Sequence, residues 1–70
     1  MNITAKPSPA LLATIKAIAP ANRKNAIRLA DRTAAQYFAK LQIFGDFSEA
    51  EHIELAFEAA RAEVLYWYGP

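Results

Sequence analysis

The 70-residue sequence contains no cysteine and only one histidine, and its two glycines stand far apart. Without cysteine, the chain has no disulfides and no thiolate metal sites. A structural zinc site needs about four ligands, most often Cys and His, so His52 alone argues against one. Gly45 and Gly69 cannot form a glycine-rich phosphate-binding loop. We therefore expect neither a metal nor a cofactor.

Long apolar runs are also absent, although hydrophobic residues make up 54% of the chain. That share is too high for a disordered protein, yet no run approaches the ~20 apolar residues that cross a bilayer. The N-terminus lacks the basic start and apolar stretch of a signal peptide, so we expect a cytoplasmic protein without membrane contact. A chain this short forms one domain, 1–70, and buries only about 60% of its unfolded surface.

The first part of this domain is predicted to be an extended arm followed by a short helix. The arm covers residues 1–7. Ser8 and Pro9 supply a serine cap and a first-turn proline, which favour a helix over 9–19. Pro20 is expected to end that helix, because the residue before a proline avoids the helical region.

The rest of the chain is predicted to form an antiparallel hairpin of two long helices, which makes the fold all-α. Asn22 is a suitable cap for a helix over 22–44. Ser48 and Glu51 form an S-x-x-E capping box, which predicts a helix over 49–67. The link between these helices is so short that they must be antiparallel neighbours.

Both long helices carry apolar residues at alternating steps of three and four, which predicts a heptad seam between them. The seam residues are Ile27, Ala30, Ala34, Tyr37, Leu41 and Phe44 on the second helix, and Ile53, Phe57, Ala60, Val64 and Trp67 on the third. The small Ala34 is expected opposite the large Phe57, a fit that suits close packing.

A second apolar stripe is predicted on the outward side of the hairpin. Its members are Leu55, Ala59, Ala62 and Tyr66 on the third helix, joined by Leu29 and Phe38 on the second. Such a stripe needs cover. Either the first helix covers it and completes a three-helix monomer, or a second copy of the chain does. We favour the second copy, and predict that these residues form the interface of a two-fold homodimer.

Charge is divided unequally along the chain. Residues 1–42 contain seven basic residues and one acidic residue, a net charge of +6, whereas residues 43–70 contain six acidic and one basic, a net charge of −5. Such asymmetry is a hint of an interaction surface. The alternative is that the two halves neutralise each other on folding.

The basic residues of the second helix recur every four positions and form a ridge: Lys24, Arg28, Arg32 and Lys40, with Gln36 between them. Arg23 and Lys24 also lie in the first turn, where the helix dipole is already positive. Residues that break a local rule without local gain are candidates for function. The residues predicted to bind a partner are Arg23, Lys24, Arg28, Arg32 and, from the C-terminal aromatic run, Tyr68. The alternative is a solvated helix face.

The sequence offers neither a nucleophile pattern nor a sign of the pocket that a general base needs, so no catalytic residues are predicted. We therefore expect a protein that is not an enzyme and has no small-molecule substrate. Its predicted role is to bind a larger protein as an adaptor or inhibitor. One alternative is a DNA-binding regulator that uses the basic start of the second helix, although the acidic third helix would repel phosphates. Another is a structural subunit of a larger assembly.

Overall fold

The computed structural model describes residues 6–44, 46 and 48–69, without the side chain of Phe44. Within this part of the chain the protein is all-helical and has no strands: α1 spans Pro9–Ala17, α2 spans Pro20–Phe44 and α3 spans Glu49–Tyr68. Most of the predicted arm, Gly45 of the predicted link and the seam position Phe44 lie outside the described residues or side chains. None of the described helices has the length and apolar character required to cross a membrane.

α1 begins at its predicted serine cap. Ser8 is extended, and its Oγ accepts a hydrogen bond from the N–H of Leu11 at 3.2 Å. Pro9 follows in the first turn, where its missing N–H costs nothing. Ile18 caps the other end. The helix therefore ends at Ala17, slightly before its predicted end.

α2 begins at Pro20, ahead of the predicted cap Asn22. Proline has no N–H, and its fixed φ suits the first turn of a helix. The residue that cannot continue α1 can therefore open α2. Asn22 already donates its N–H to the carbonyl of Ala19 at 2.9 Å. Treating Pro20 only as a stop signal was wrong for this junction.

α3 begins at the predicted capping pair. The Oγ of Ser48 accepts a hydrogen bond from the N–H of Glu51 at 3.3 Å, and its hydroxyl donates to Oε1 of Glu51 at 3.0 Å. The carboxylate thus bonds the serine hydroxyl, a variation on the box in which it reaches a backbone N–H. Glu49 and Glu51 also lie in the first turn, where the helix dipole stabilises carboxylates.

α2 and α3 pack together, and each buries side chains at every fourth position. The buried residues in these two rows are Ala26, Ala30, Ala34 and Phe38 on α2, and His52, Ala56, Ala60 and Val64 on α3. Rows at i±4 form ridges that fit into the grooves of a neighbouring helix. Because five of the eight side chains are alanines, the two backbones can approach closely. We call these rows the four-residue ridges.

The predicted seam is therefore only partly correct. It is confirmed at Ala30 and Ala34 on α2 and at Phe57, Ala60 and Val64 on α3, all of which are buried. Ile27 and Tyr37 are instead 42% and 43% exposed, and Trp67 is 63% exposed. The physical reason is that the alanines of the four-residue ridges make the close contact, which leaves the larger residues beside them at the edges of the interface.

α1 packs against the hairpin and completes a core within a single chain. Leu11 and Ile18 are 2% and 3% exposed, and Ile15 packs against the same cluster. The buried Thr14 links α1 to α3, because its Oγ1 accepts a hydrogen bond from Nε of Arg61 at 3.2 Å. The first helix therefore belongs to the core of the monomer.

Candidate partner-binding groove

An open groove of about 420 Å³ lies between α2 and α3, at the end of the hairpin opposite the link that joins them. It is lined by Asn25, Arg28, Leu29 and Arg32 from α2, and by Glu63, Trp67 and Tyr68 from α3. The groove brings together Arg28, Arg32 and Tyr68, which were predicted to bind a partner. The sequence did not indicate Asn25 and Glu63, because their proximity depends on how α2 and α3 are aligned.

Arg28 and Arg32 form a basic wall of this groove. Both residues are exposed. Being four residues apart, they lie on nearly the same face of α2, separated by about 6 Å along its axis. In the described part of the chain, neither arginine forms a salt bridge. The salt bridge found there joins Arg61 to Glu58 at 3.9 Å. The two guanidinium groups are thus available to an acidic ligand.

Trp67 forms the opposite, aromatic wall. Its ring and that of Tyr66 pack edge to face, with centroids 5.1 Å apart and an interplanar angle of 86°. The Nε1 of Trp67 donates a hydrogen bond to Oε1 of Glu63 at 2.9 Å. The indole is therefore held against its own helix while most of its surface remains open to solvent.

Tyr68 and Trp67 have exchanged the roles that the sequence suggested. Trp67 was predicted to lie in the seam between the long helices, and Tyr68 to bind a partner. In the structure Tyr68 is half-buried and packs against the core, although it still lines the groove. The reason is the spacing: the position that continues the row of Ala60 and Val64 is Tyr68.

Arg23 lies outside the groove and joins α2 to α1. Its Nη2 donates hydrogen bonds to the carbonyls of Lys16 at 3.1 Å and Ile18 at 3.2 Å. Carbonyls at a helix C-terminus lack intrahelical partners and carry the negative end of the dipole. The positive charge of Arg23 is unfavourable near the N-terminus of α2, but it stabilises the C-terminus of α1. Lys24, its neighbour, is exposed and also lies outside the groove.

The predicted outward stripe of α3 lies on the surface of the single chain. Leu55 and Tyr66 are 39% and 78% exposed, Ala62 is exposed, and Ala59 is half-buried. α1 therefore leaves most of this stripe open. The two residues expected to extend it on α2 behave differently.

Leu29 and Phe38 are the α2 residues that were predicted to join the dimer interface. Leu29 is half-buried and lines the groove. Phe38 is 3% exposed and lies in the core, so its assignment to an interface between chains is wrong. It continues the four-residue ridge after Ala34, and this row turns it towards α3.

A second pocket, also of about 420 Å³, lies between α1 and α3. It is lined by Ala10, Ala13, Thr14, Ala17, Ile18, Arg61 and Leu65. Arg61 is the charged residue among them, and it already bonds Thr14 and pairs with Glu58. This pocket therefore offers a mainly apolar surface, and its charged side chain, Arg61, already interacts with Thr14 and Glu58.

His52 lies near the closed end of the hairpin, away from the groove. It is 4% exposed, and its Nδ1 is 2.6 Å from Oε1 of Gln42, within hydrogen-bond distance. This contact joins the beginning of α3 to the end of α2. Over the described residues, no three His, Cys, Asp or Glu side chains are grouped where a metal could bind.

No family model, curated protein or solved structure matches the sequence. A function for the groove must therefore be inferred from its own residues, their charge and their exposure.

Proposed function

We propose that the protein is a non-enzymatic binding module that docks a larger protein in the groove between α2 and α3, and so acts as an adaptor or inhibitor. One observation carries this proposal: two exposed arginines on one wall face an exposed tryptophan on the other. Arg, Trp and Tyr are the residues most enriched at binding hot spots. At 63% exposure, Trp67 contributes little to the core, so its position favours a role in recognition.

The groove is tested by capturing partners from an extract of the native host. Wild type is compared with Arg28→Ala/Arg32→Ala and with Trp67→Ala. The matched control is Lys24→Ala/Lys40→Ala, which removes the same charge from exposed positions outside the groove. We expect a protein partner that the control retains and both groove variants lose. A partner that all variants retain equally would contradict the proposal.

The exposed stripe of α3 supports a further part of the proposal, a two-fold homodimer. Leu55, Ala62 and Tyr66 present apolar surface that a second copy could cover. A second subunit is also a common source of stability for small folds.

The DNA-binding alternative has no comparable support, because α3 places Glu63 on the wall opposite the arginines.

Light scattering at micromolar concentration tests the dimer. We expect wild type to have the mass of two chains. Ala62→Glu should have the mass of one chain with unchanged helix content, because Ala62 is exposed in the single chain. A wild-type mass of one chain would refute the homodimer and leave the groove proposal unaffected.

A further inference from the structure

We infer that the segment bound in the groove is an extended acidic peptide in which carboxylates alternate with apolar side chains. This inference rests on the proposed function and specifies the chemistry of the partner. It follows from the charge of one wall, the spacing of its two arginines and the aromatic residues of the wall opposite.

The charge of the groove favours carboxylates. Arg28 and Arg32 are exposed and form no salt bridge within the described residues. Glu63 is the carboxylate that lines the groove, and it lies on the other wall, bonded to Nε1 of Trp67. A guanidinium group binds a carboxylate through two parallel hydrogen bonds, which makes arginine a stronger and more specific partner than lysine.

The spacing favours an extended segment. The two arginines are four positions apart on a helix, which separates them by about 6 Å along the axis of α2. In an extended chain, residues i and i+2 point to the same side and lie about 6.6–6.8 Å apart. Two carboxylates at alternate positions of a strand can therefore meet Arg28 and Arg32 together.

The alternation also suits the two unlike walls. When two carboxylates face the arginines, the side chain between them points the other way, towards Trp67 and Tyr68. Trp67 offers an exposed ring, and Leu29 adds apolar surface between the walls. An apolar residue at the intervening position therefore loses contact with water on binding.

The same geometry disfavours nucleic acid. Residues 43–70 carry a net charge of −5, and Glu63 lies directly in the groove. A polyanionic backbone would bring further phosphates against these carboxylates. A short alternating peptide carries only two carboxylates into the groove, and both lie against the basic wall, away from Glu63.

The chain has a single tryptophan, so the fluorescence of Trp67 reports directly on the groove. The probes are a peptide of alternating glutamate and leucine, the same peptide with glutamine for glutamate, and random duplex DNA. We expect saturable binding of the acidic peptide that weakens as salt is raised. The glutamine peptide and the DNA should bind much more weakly.

Variants then locate the binding. Arg28→Ala/Arg32→Ala should weaken the acidic peptide by about tenfold or more, the value of one lost charge-assisted contact. Arg28→Lys/Arg32→Lys keeps the charge and loses the paired hydrogen bonds, so it should bind less tightly than wild type. Lys24→Ala/Lys40→Ala should stay within about twofold of wild type, because exposed charges outside the contact contribute little. Helix content from circular dichroism confirms that each variant is folded.

Three results would overturn the inference: equal binding of the glutamine peptide, equal weakening by the two alanine pairs, or tighter and steeply salt-dependent binding of DNA. The proposed function fails separately. If the peptide does not bind but a captured protein still depends on Arg28, Arg32 and Trp67, only the acidic-peptide inference is lost. If the captured protein is indifferent to these residues, the groove itself is the wrong site.

Discussion

The N-terminal ends of α2 and α3 differ in charge. α3 begins with Glu49 and Glu51, which suit the positive end of its dipole, whereas the first turn of α2 contains no acidic residue and is followed directly by Arg23 and Lys24. Arg23 donates to the carbonyls that end α1. A residue that is unfavourable in its own helix can thus stabilise a neighbouring one. Breaking a local rule is therefore insufficient evidence for a binding site.

The buried faces of α2 and α3 also differ, in the size of their side chains. α3 buries Phe57 and Val64, which are larger than alanine, together with Ala56 and Ala60. α2 buries Ala26, Ala30 and Ala34 before Phe38. Alanine occurs on several sides of α2, so it does not by itself identify the face that packs.

Replacing a core phenylalanine should have the largest effect. Phe38→Ala and Phe57→Ala each remove a large buried side chain, which costs about 3–5 kcal/mol. That loss is comparable to the entire stability of a small domain. Tyr37→Ala is the matched control, and because Tyr37 is 43% exposed it should cost within about 1 kcal/mol. Urea denaturation measures the free energy of unfolding of all three variants. A greater loss of stability for Tyr37→Ala than for Phe38→Ala would contradict the four-residue ridges and support the heptad seam.

Arg23→Ala should have the next largest effect, because it removes two hydrogen bonds from the end of α1. We expect a loss of about 1.5 kcal/mol, the low end for hydrogen bonds to charged groups, since Arg23 is half-exposed. Lys24→Ala should change stability by only about 0.3 kcal/mol, in the stabilising direction, because it removes a cation near the positive end of the dipole. Equal losses in the two variants would contradict the role assigned to Arg23.

Ser48→Ala should reduce stability by about 1 kcal/mol, the usual value of a helix cap. In a domain of this size, that loss lowers the melting temperature by about 4–8 °C. Ser48→Thr provides the control, since threonine keeps both the oxygen that accepts from Glu51 N–H and the hydroxyl that donates to the Glu51 carboxylate. If both substitutions lower the melting temperature equally, the start of α3 does not depend on its cap.

Arg28→Ala/Arg32→Ala should have the smallest effect, within about 0.5 kcal/mol, because both side chains are exposed. Urea denaturation again supplies the measurement. A large loss would place these arginines among the residues that hold the fold together, and would remove the reason to regard them as free for a partner.

The sequence by itself determined the helices. The cap at Ser8, the pair of Ser48 and Glu51, and the short link between α2 and α3 act over a few residues, so the three helices and the hairpin were predictable from local rules. It also indicated the basic ridge that includes Arg28 and Arg32, because a four-residue spacing keeps side chains on nearly one face.

Only the tertiary structure decided which faces meet. Both long helices carry overlapping apolar stripes, and the choice between a heptad seam and four-residue ridges depends on how closely two backbones approach. That choice buries Phe38 and half-buries Tyr68, and leaves Trp67 in solvent opposite the two arginines. The groove therefore depends on which face of α3 meets α2. Neighbouring positions on a helix differ in direction by about 100°, so packing through another face would move Trp67 and Tyr68 away from the arginines.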